Sequence, residues 1–199
     1  MFKKIFNQTL ILVFVFVLCV PDKAKSQDFY HGAGIQMNYL WYNLNYELPG
    51  SGGSDEFSLL STPGLFYKAT LAFNDNFALS SYPFLGVSLA VNSRGGGGGG
   101  FGVQIPVLAE YYFGDIDETG LFVSGGFSYG YILDLDLNDA AGVFGPQFGI
   151  GGHFYVLEKF IGARLTYTHG LNKASVDESA TVISNRRGLL TIGAYYPFF

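Results

Sequence analysis

The sequence predicts an all-β chain: eight antiparallel strands, each pairing with the next, closed into an up-and-down barrel. Three observations carry that prediction. Apolar residues recur with period two in segment after segment. Short connections alternate with longer ones rich in Gly, Ser, Asp and Asn. No apolar run beyond residue 26 approaches the roughly 18 residues that a spanning helix requires.

Residues 1–26 read as a signal peptide cleaved from a single domain, 27–199. Lys3 and Lys4 give a positive start, and Thr9–Val20 is an apolar run of 12, in the range of a signal core and too short to span as a helix. Ala24 and Ser26 supply small residues ahead of a cut before Gln27. Cys19 raises lipid attachment as an alternative, but that chemistry wants a small residue before the cysteine, and Leu18 stands there.

The strands follow in order. The first covers about 30–46. In the second, Leu65, Tyr67, Ala69, Leu71 and Phe73 alternate with Phe66, Lys68, Thr70 and Ala72. The third spans about 77–91. In the fourth, Val103, Ile105, Val107, Ala109, Tyr111 and Phe113 share one face, and Gln104, Leu108, Glu110 and Tyr112 the other. The fifth and sixth span about 121–133 and 143–155. In the seventh, Ile161, Ala163, Leu165 and Tyr167 alternate with Gly162, Arg164, Thr166 and Thr168. The last sets Leu190, Ile192, Ala194, Tyr196 and Phe198 against Leu189, Thr191, Gly193 and Tyr195.

One face of each strand is apolar; the other carries Gly, Ser, Thr, Gln and a few charges. A soluble barrel or sandwich turns its apolar face inward, whereas a membrane barrel turns it toward lipid. Three features favour the membrane. Short turns at Asn74–Asn76, Asp115–Thr119 and Leu157–Lys159 oppose longer connections at Glu47–Pro63, Asn92–Gly100, Asp134–Ala141 and Asn172–Asn185, as at the periplasmic and extracellular ends of an outer-membrane barrel. Aromatics gather beside the short turns: Phe73, Phe77, Tyr111, Phe113, Phe122, Phe154, Tyr155, Phe160, Tyr196 and Phe198. Such rings favour the membrane–water boundary. The chain also closes on Ala194-Tyr-Tyr-Pro-Phe-Phe199, resembling the terminal-strand signal read by the outer-membrane assembly machinery. Pro197 predicts an irregular last turn.

Composition narrows the function classes. Of 199 residues, 49% are hydrophobic, 18% aromatic and only 14% charged, against about 25% charged in an ordinary soluble domain. That excludes a disordered chain. Without the leader, 7 basic and 15 acidic residues remain, a net charge of −8 that speaks against nucleic acid. A single Cys excludes a disulfide framework or a Cys-rich zinc site.

Over 28–199 the chain resembles the small outer-membrane β-barrel domain family, a porin-like group with PorT-type and OmpX-like eight-stranded members. Ile105-Pro-Val-Leu-Ala-Glu-Tyr-Tyr-Phe-Gly114 resembles that family's fourth strand and turn, and Arg164-Leu-Thr-Tyr-Thr-His-Gly-Leu-Asn172 its penultimate strand. The resemblance implies the outer membrane of a Gram-negative bacterium.

An eight-stranded barrel is filled by its own side chains, so a wide solute channel is not expected. The inward list includes Gln36, Asn38, Lys68, Gln104, Glu110, Gln147, His153 and Arg164. Glu110 and Arg164 each lie about four residues above a short turn, roughly 13 Å at about 3.3 Å per residue. They are expected to pair across the lumen, with Lys68 one or two layers higher. The role of Lys68, Glu110 and Arg164 is read as structural, because buried charges need partners; a proton or ion path is the alternative.

No other motif carries chemistry. Gly95–Gly100 lacks the Lys-Ser/Thr of a phosphate loop and reads as flexible surface loop. The acidic runs Asp134–Asp139 and Asp115–Gly120 lack the Glu that completes a calcium loop. His31, His153 and His169 share no metal-ligand spacing. His169-Gly-Leu-Asn172 vaguely resembles the His-x-Ser-Asn of lipid-A deacylating barrels, with Leu171 in place of the nucleophile. The expectation is a structural or surface-binding barrel, monomeric, without enzyme activity, cofactor or metal. The alternatives are a narrow pore for ions or small solutes, a lipid-modifying enzyme and a soluble secreted barrel.

Overall fold

In the computed structural model, the residues described are 28–48, 51–61, 63–92, 97–134, 140–171 and 181–198. The predicted leader, Cys19 included, lies outside them. Ten strands are present: β1 (Phe29–Leu48), β2 (Ser51–Ser61), β3 (Gly64–Ala72), β4 (Phe77–Ser81), β5 (Phe84–Asn92), β6 (Gly97–Tyr112), β7 (Gly120–Asp134), β8 (Ala140–Val156), β9 (Lys159–Gly170) and β10 (Thr181–Phe198). They make eight staves. β2 and β3 both pair with β1 and form one stave; β4 and β5 both pair with β6 and form another. Every pairing is antiparallel, and β1 meets β10 to close the barrel.

The two broken staves show where the chain departs from regular pleating. Tyr39 opposes Leu60 while Gln36 opposes Gly64, so the second stave carries one extra residue around Pro63. That is a β-bulge. In the next stave the break falls at Tyr82-Pro83, and Pro106 of β6 lies beside it, between the partners of Ser81 and Phe84. Proline has no N–H for a ladder, and here it faces a gap that asks for none. The Ser81 hydroxyl instead donates to the Pro106 carbonyl, 2.6 Å.

Two expectations are corrected. The longer connections are largely strand: β2 occupies most of the first, Gly97–Gly100 pair with Val91–Ser88, and β10 begins at Thr181. The sheet thus rises further on the side opposite the short turns, because a closed barrel can go on pairing backbone beyond the membrane. The last strand shifts register against β1 once, between Asn45 and Tyr46, but its final turn is regular through Phe198, with Pro197 opposite Gly32. Pro197 lies past Tyr195, the last residue paired with β9.

Sidedness is as the alternation predicts. Ile105, Leu165 and Ile192 are 49%, 42% and 60% exposed on the outside, while Glu110 and Arg164 are 0% and 3% exposed within. On β6 the outward apolar face runs from Phe101 to Tyr111. Ten residues at about 3.3 Å each, tilted by about 40°, give a belt roughly 25 Å tall. This overturns the soluble-barrel alternative, which would put that face inside.

Aromatic rings edge the belt at both levels. Near the short turns, Tyr111 packs on Phe113, Phe73 on Phe77, and His31 on Phe198. At the other level Trp41 stacks on Tyr167 at 5.7 Å, and Tyr129 on Tyr131. The predicted girdle residue Phe160 packs instead against the luminal His153, and a second one, Phe122, points inward against Tyr112 and His153. It sits two residues after Gly120, where β7 begins, and parity along the strand sends it inside.

Candidate functional site

The lumen is built in levels, starting at the short turns. Asn74 Oδ1 accepts hydrogen bonds from the Asn76 and Phe77 N–H groups, closing the first turn. The Asn76 side chain then donates to the carbonyls of Tyr112 and Gly114, tying this turn to the second. The second turn folds back so that Ile116 is buried against Ala72, Ala78, Tyr112 and Phe122. An apolar stopper thus closes the lower mouth. Below it lies an open polar recess of about 480 Å³, bordered by Asp28, Asp75, Asp115 and Asp117.

The charged level lies above. Glu110 on β6 accepts from the hydroxyls of Ser80 (2.6 Å), Tyr112 (2.7 Å) and Tyr82. Lys68 Nζ lies 3.3 Å from Glu110 Oε2 and donates to Tyr112 Oη at 2.9 Å and Tyr195 Oη at 3.0 Å. Donor roles then propagate. Since Ser80 donates to Glu110, Thr70 is the donor to Ser80, 2.9 Å away. Tyr195 Oη also lies 2.7 Å from His153 Nε2, which links the histidine to the charged level. Four aromatic rings surround the ammonium, with that of Tyr195 at 4.8 Å. All three groups on Glu110's hydroxyl shell and the lysine are buried, so the carboxylate is fully engaged.

The three charged residues singled out from the sequence are all inside, but their pairing differs from expectation. The ion pair is Lys68–Glu110, not Glu110–Arg164. The lysine's backbone does sit higher, but its flexible four-carbon stem brings the ammonium down to the carboxylate. Tyr82 stands between the other two: its hydroxyl serves Glu110, while its ring face carries the Arg164 guanidinium 3.8 Å from its centre. Arg164 donates instead to Gln36.

A second apolar cluster, Phe66, Tyr82, Phe84, Leu108 and Tyr195, fills the lumen at this height. Sequence reasoning missed these rings as a plug. Their inward parity was readable, but the glycines that admit them act across strands. A Cβ on Gly162 would lie 2.1 Å from the Tyr195 ring, and one on Gly151 would lie 2.2 Å from Phe122. Above the plug comes a polar level. Gln36 donates to Asn38 and Gln104, Gln104 to Ser128, Thr191 to Asn38, and Gln147 to Thr166.

The histidines are dispersed. His31 is on the outer wall by the chain ends, His153 is inside, and His169 is outside beside Tyr167. Among the described residues, no group of three or more His, Cys, Asp or Glu is placed to hold a metal ion. Asn172 and most of the 134–139 acidic run lie outside the described residues.

A closed antiparallel barrel of eight staves, apolar outside and packed with polar and aromatic groups inside, is a transmembrane β-barrel of the Gram-negative outer-membrane type. Among solved structures the chain is similar to the outer membrane protein AlkL, determined by solid-state NMR in DMPC bilayers, with TM-score 0.58 and 16% identity over 89% of this chain and 94% of that one. It is also similar to Neisserial surface protein A (TM-score 0.45, 14% identity, 87% of this chain and 100% of that one). Ail, the attachment invasion locus protein of Yersinia pestis, gives TM-score 0.40 and 16% identity over 84% of this chain and 98% of that one. At these identities the likeness is one of fold. No protein-family model and no curated protein matches the chain.

Proposed function

We propose that this barrel is a monomeric, non-enzymatic outer-membrane scaffold that works through its outward rim, and that its bore conducts nothing in the resting state. The observation that carries the reading is the double plug. The Ile116 stopper and the Phe66–Tyr82–Phe84–Leu108–Tyr195 cluster bracket a carboxylate and an ammonium that satisfy each other. A solute path would have to break that ion pair and unstack the rings together. The rim is the part free to differ, since loops on a rigid scaffold are where binding resides. Delivery to the membrane is assigned to the assembly machinery acting on β10, whose outward face ends in Tyr196 and Phe198.

Planar-bilayer recording tests the reading. Purified protein is expected to be silent. Steady single-channel openings in the unmodified protein would establish the narrow-pore alternative instead.

A further inference from the structure

The charges of the lumen do not balance. Among the described residues it encloses Lys68, Arg164 and Glu110, two cations and one carboxylate. Glu110 is already engaged by Lys68 and three hydroxyls. Arg164 is 3% exposed, and its Nε and Nη1 have no hydrogen-bond partner in the protein. A guanidinium only donates, and a buried charge requires a counter-charge or acceptors. Its register neighbours on both flanking strands are Gly151 and Gly193, so neither directly opposed position offers it a side chain.

Two other buried polar atoms lack partners, Gln147 Oε1 and Thr168 Oγ1. They contrast usefully with the arginine. Gln147 and Thr168 oppose each other on adjacent strands and combine an acceptor with a hydroxyl, which suits an ordered water. The free positions on Arg164 are donors alone, and the charges enclosed among the described residues are net positive.

We propose that Arg164 holds a small monovalent anion, of the halide or carboxylate class, inside the barrel at the top of the aromatic plug. The anion neutralises the guanidinium and accepts from the two N–H positions that the protein leaves open. It would enter from the polar level of Gln36, Asn38 and Gln104, since the plug closes the route from below.

Crystals of the refolded barrel grown with bromide as the only halide test this. One anomalous peak is expected within about 3.5 Å of Nε or Nη1, and it should vanish in Arg164→Gln. In detergent solution, exchanging sulfate for bromide at fixed ionic strength removes a generally stabilising salt, and it should lower the urea midpoint of the unmodified protein less than that of Arg164→Gln. A map with water alone on Arg164, no bromide peak there, or a peak that persists in the variant overturns the proposal. If Arg164→Gln fails to refold, the map of the unmodified protein decides alone.

Discussion

Lys68 Nζ and Glu110 Oε2 lie 3.3 Å apart, both sealed from solvent, and they come from staves separated by the β4–β5 stave. The pair therefore ties three consecutive staves together from within. Removing one partner strands a charge among Tyr82, Tyr112, Phe122 and Tyr195. Lys68→Met or Glu110→Gln alone should destabilise the barrel by about 3–5 kcal/mol. The double variant should recover most of that loss, because no unpaired charge remains. Urea unfolding of the refolded protein in detergent measures all three.

The outer belt makes a different prediction. Ile105 projects from the middle of the apolar face of β6. Ile105→Arg should cost about 2–4 kcal/mol when unfolding is followed in lipid vesicles. Glu118→Arg, in an exposed turn below the belt, should stay within about 0.5 kcal/mol. Equal effects at the two positions would mean that the β6 face does not meet hydrocarbon.

The turn from β8 to β9 carries strain that substitution should relieve. Leu157 and Glu158 both have positive φ, 49° and 63°. Two-residue hairpins adopt this conformation readily with Asn-Gly, whereas other side chains pay about 1–2 kcal/mol per residue for the left-handed region. Leu157→Asn with Glu158→Gly should therefore raise stability by about 1–2 kcal/mol in the same urea assay. No gain would show that the flanking Val156–Lys159 pair already sets the turn.

Gly162 offers a test of how the plug is seated. The Tyr195 ring lies flat over it, where any Cβ would meet the ring carbons. Gly162→Val should expel Tyr195 from its place beside Lys68 and His153. Bilayer recording is expected to show brief openings in this variant and none in the unmodified protein. A silent, stable Gly162→Val barrel would mean that the lower stopper around Ile116 suffices alone.

Orientation can be read by labelling. The short turns and both ends of the barrel lie together, since His31 opposes Phe198. A membrane-impermeant maleimide should label Asn43→Cys on intact cells, and Glu158→Cys only after the outer membrane is permeabilised. The reverse pattern would invert the assignment of rim and base.

Much of this protein was legible before folding. Period-two alternation placed Ile105, Leu165 and Ile192 outside and Gln36, Gln104, Gln147 and His153 inside, because along a strand parity alone decides the face. The same parity would have exposed Phe122 as an inward ring had its position been counted from Gly120 rather than from the turn. Strand length beyond the belt was not legible. Polar, Gly-rich segments such as Ser51–Ser61 and Gly97–Gly100 are paired as strand only because the closed sheet offers them partners.

What the chain's order of residues determined, then, is which groups enter the lumen. Which of them meet was decided by the tertiary structure. Glu110 finds Lys68 rather than Arg164 because cross-lumen contacts depend on stagger, side-chain reach and the rings in between. Tyr82 occupies the space where the expected pair would have formed, and the glycines that let such rings pack lie on other strands. Local pattern carries no information about those distances; closure of the barrel supplies it.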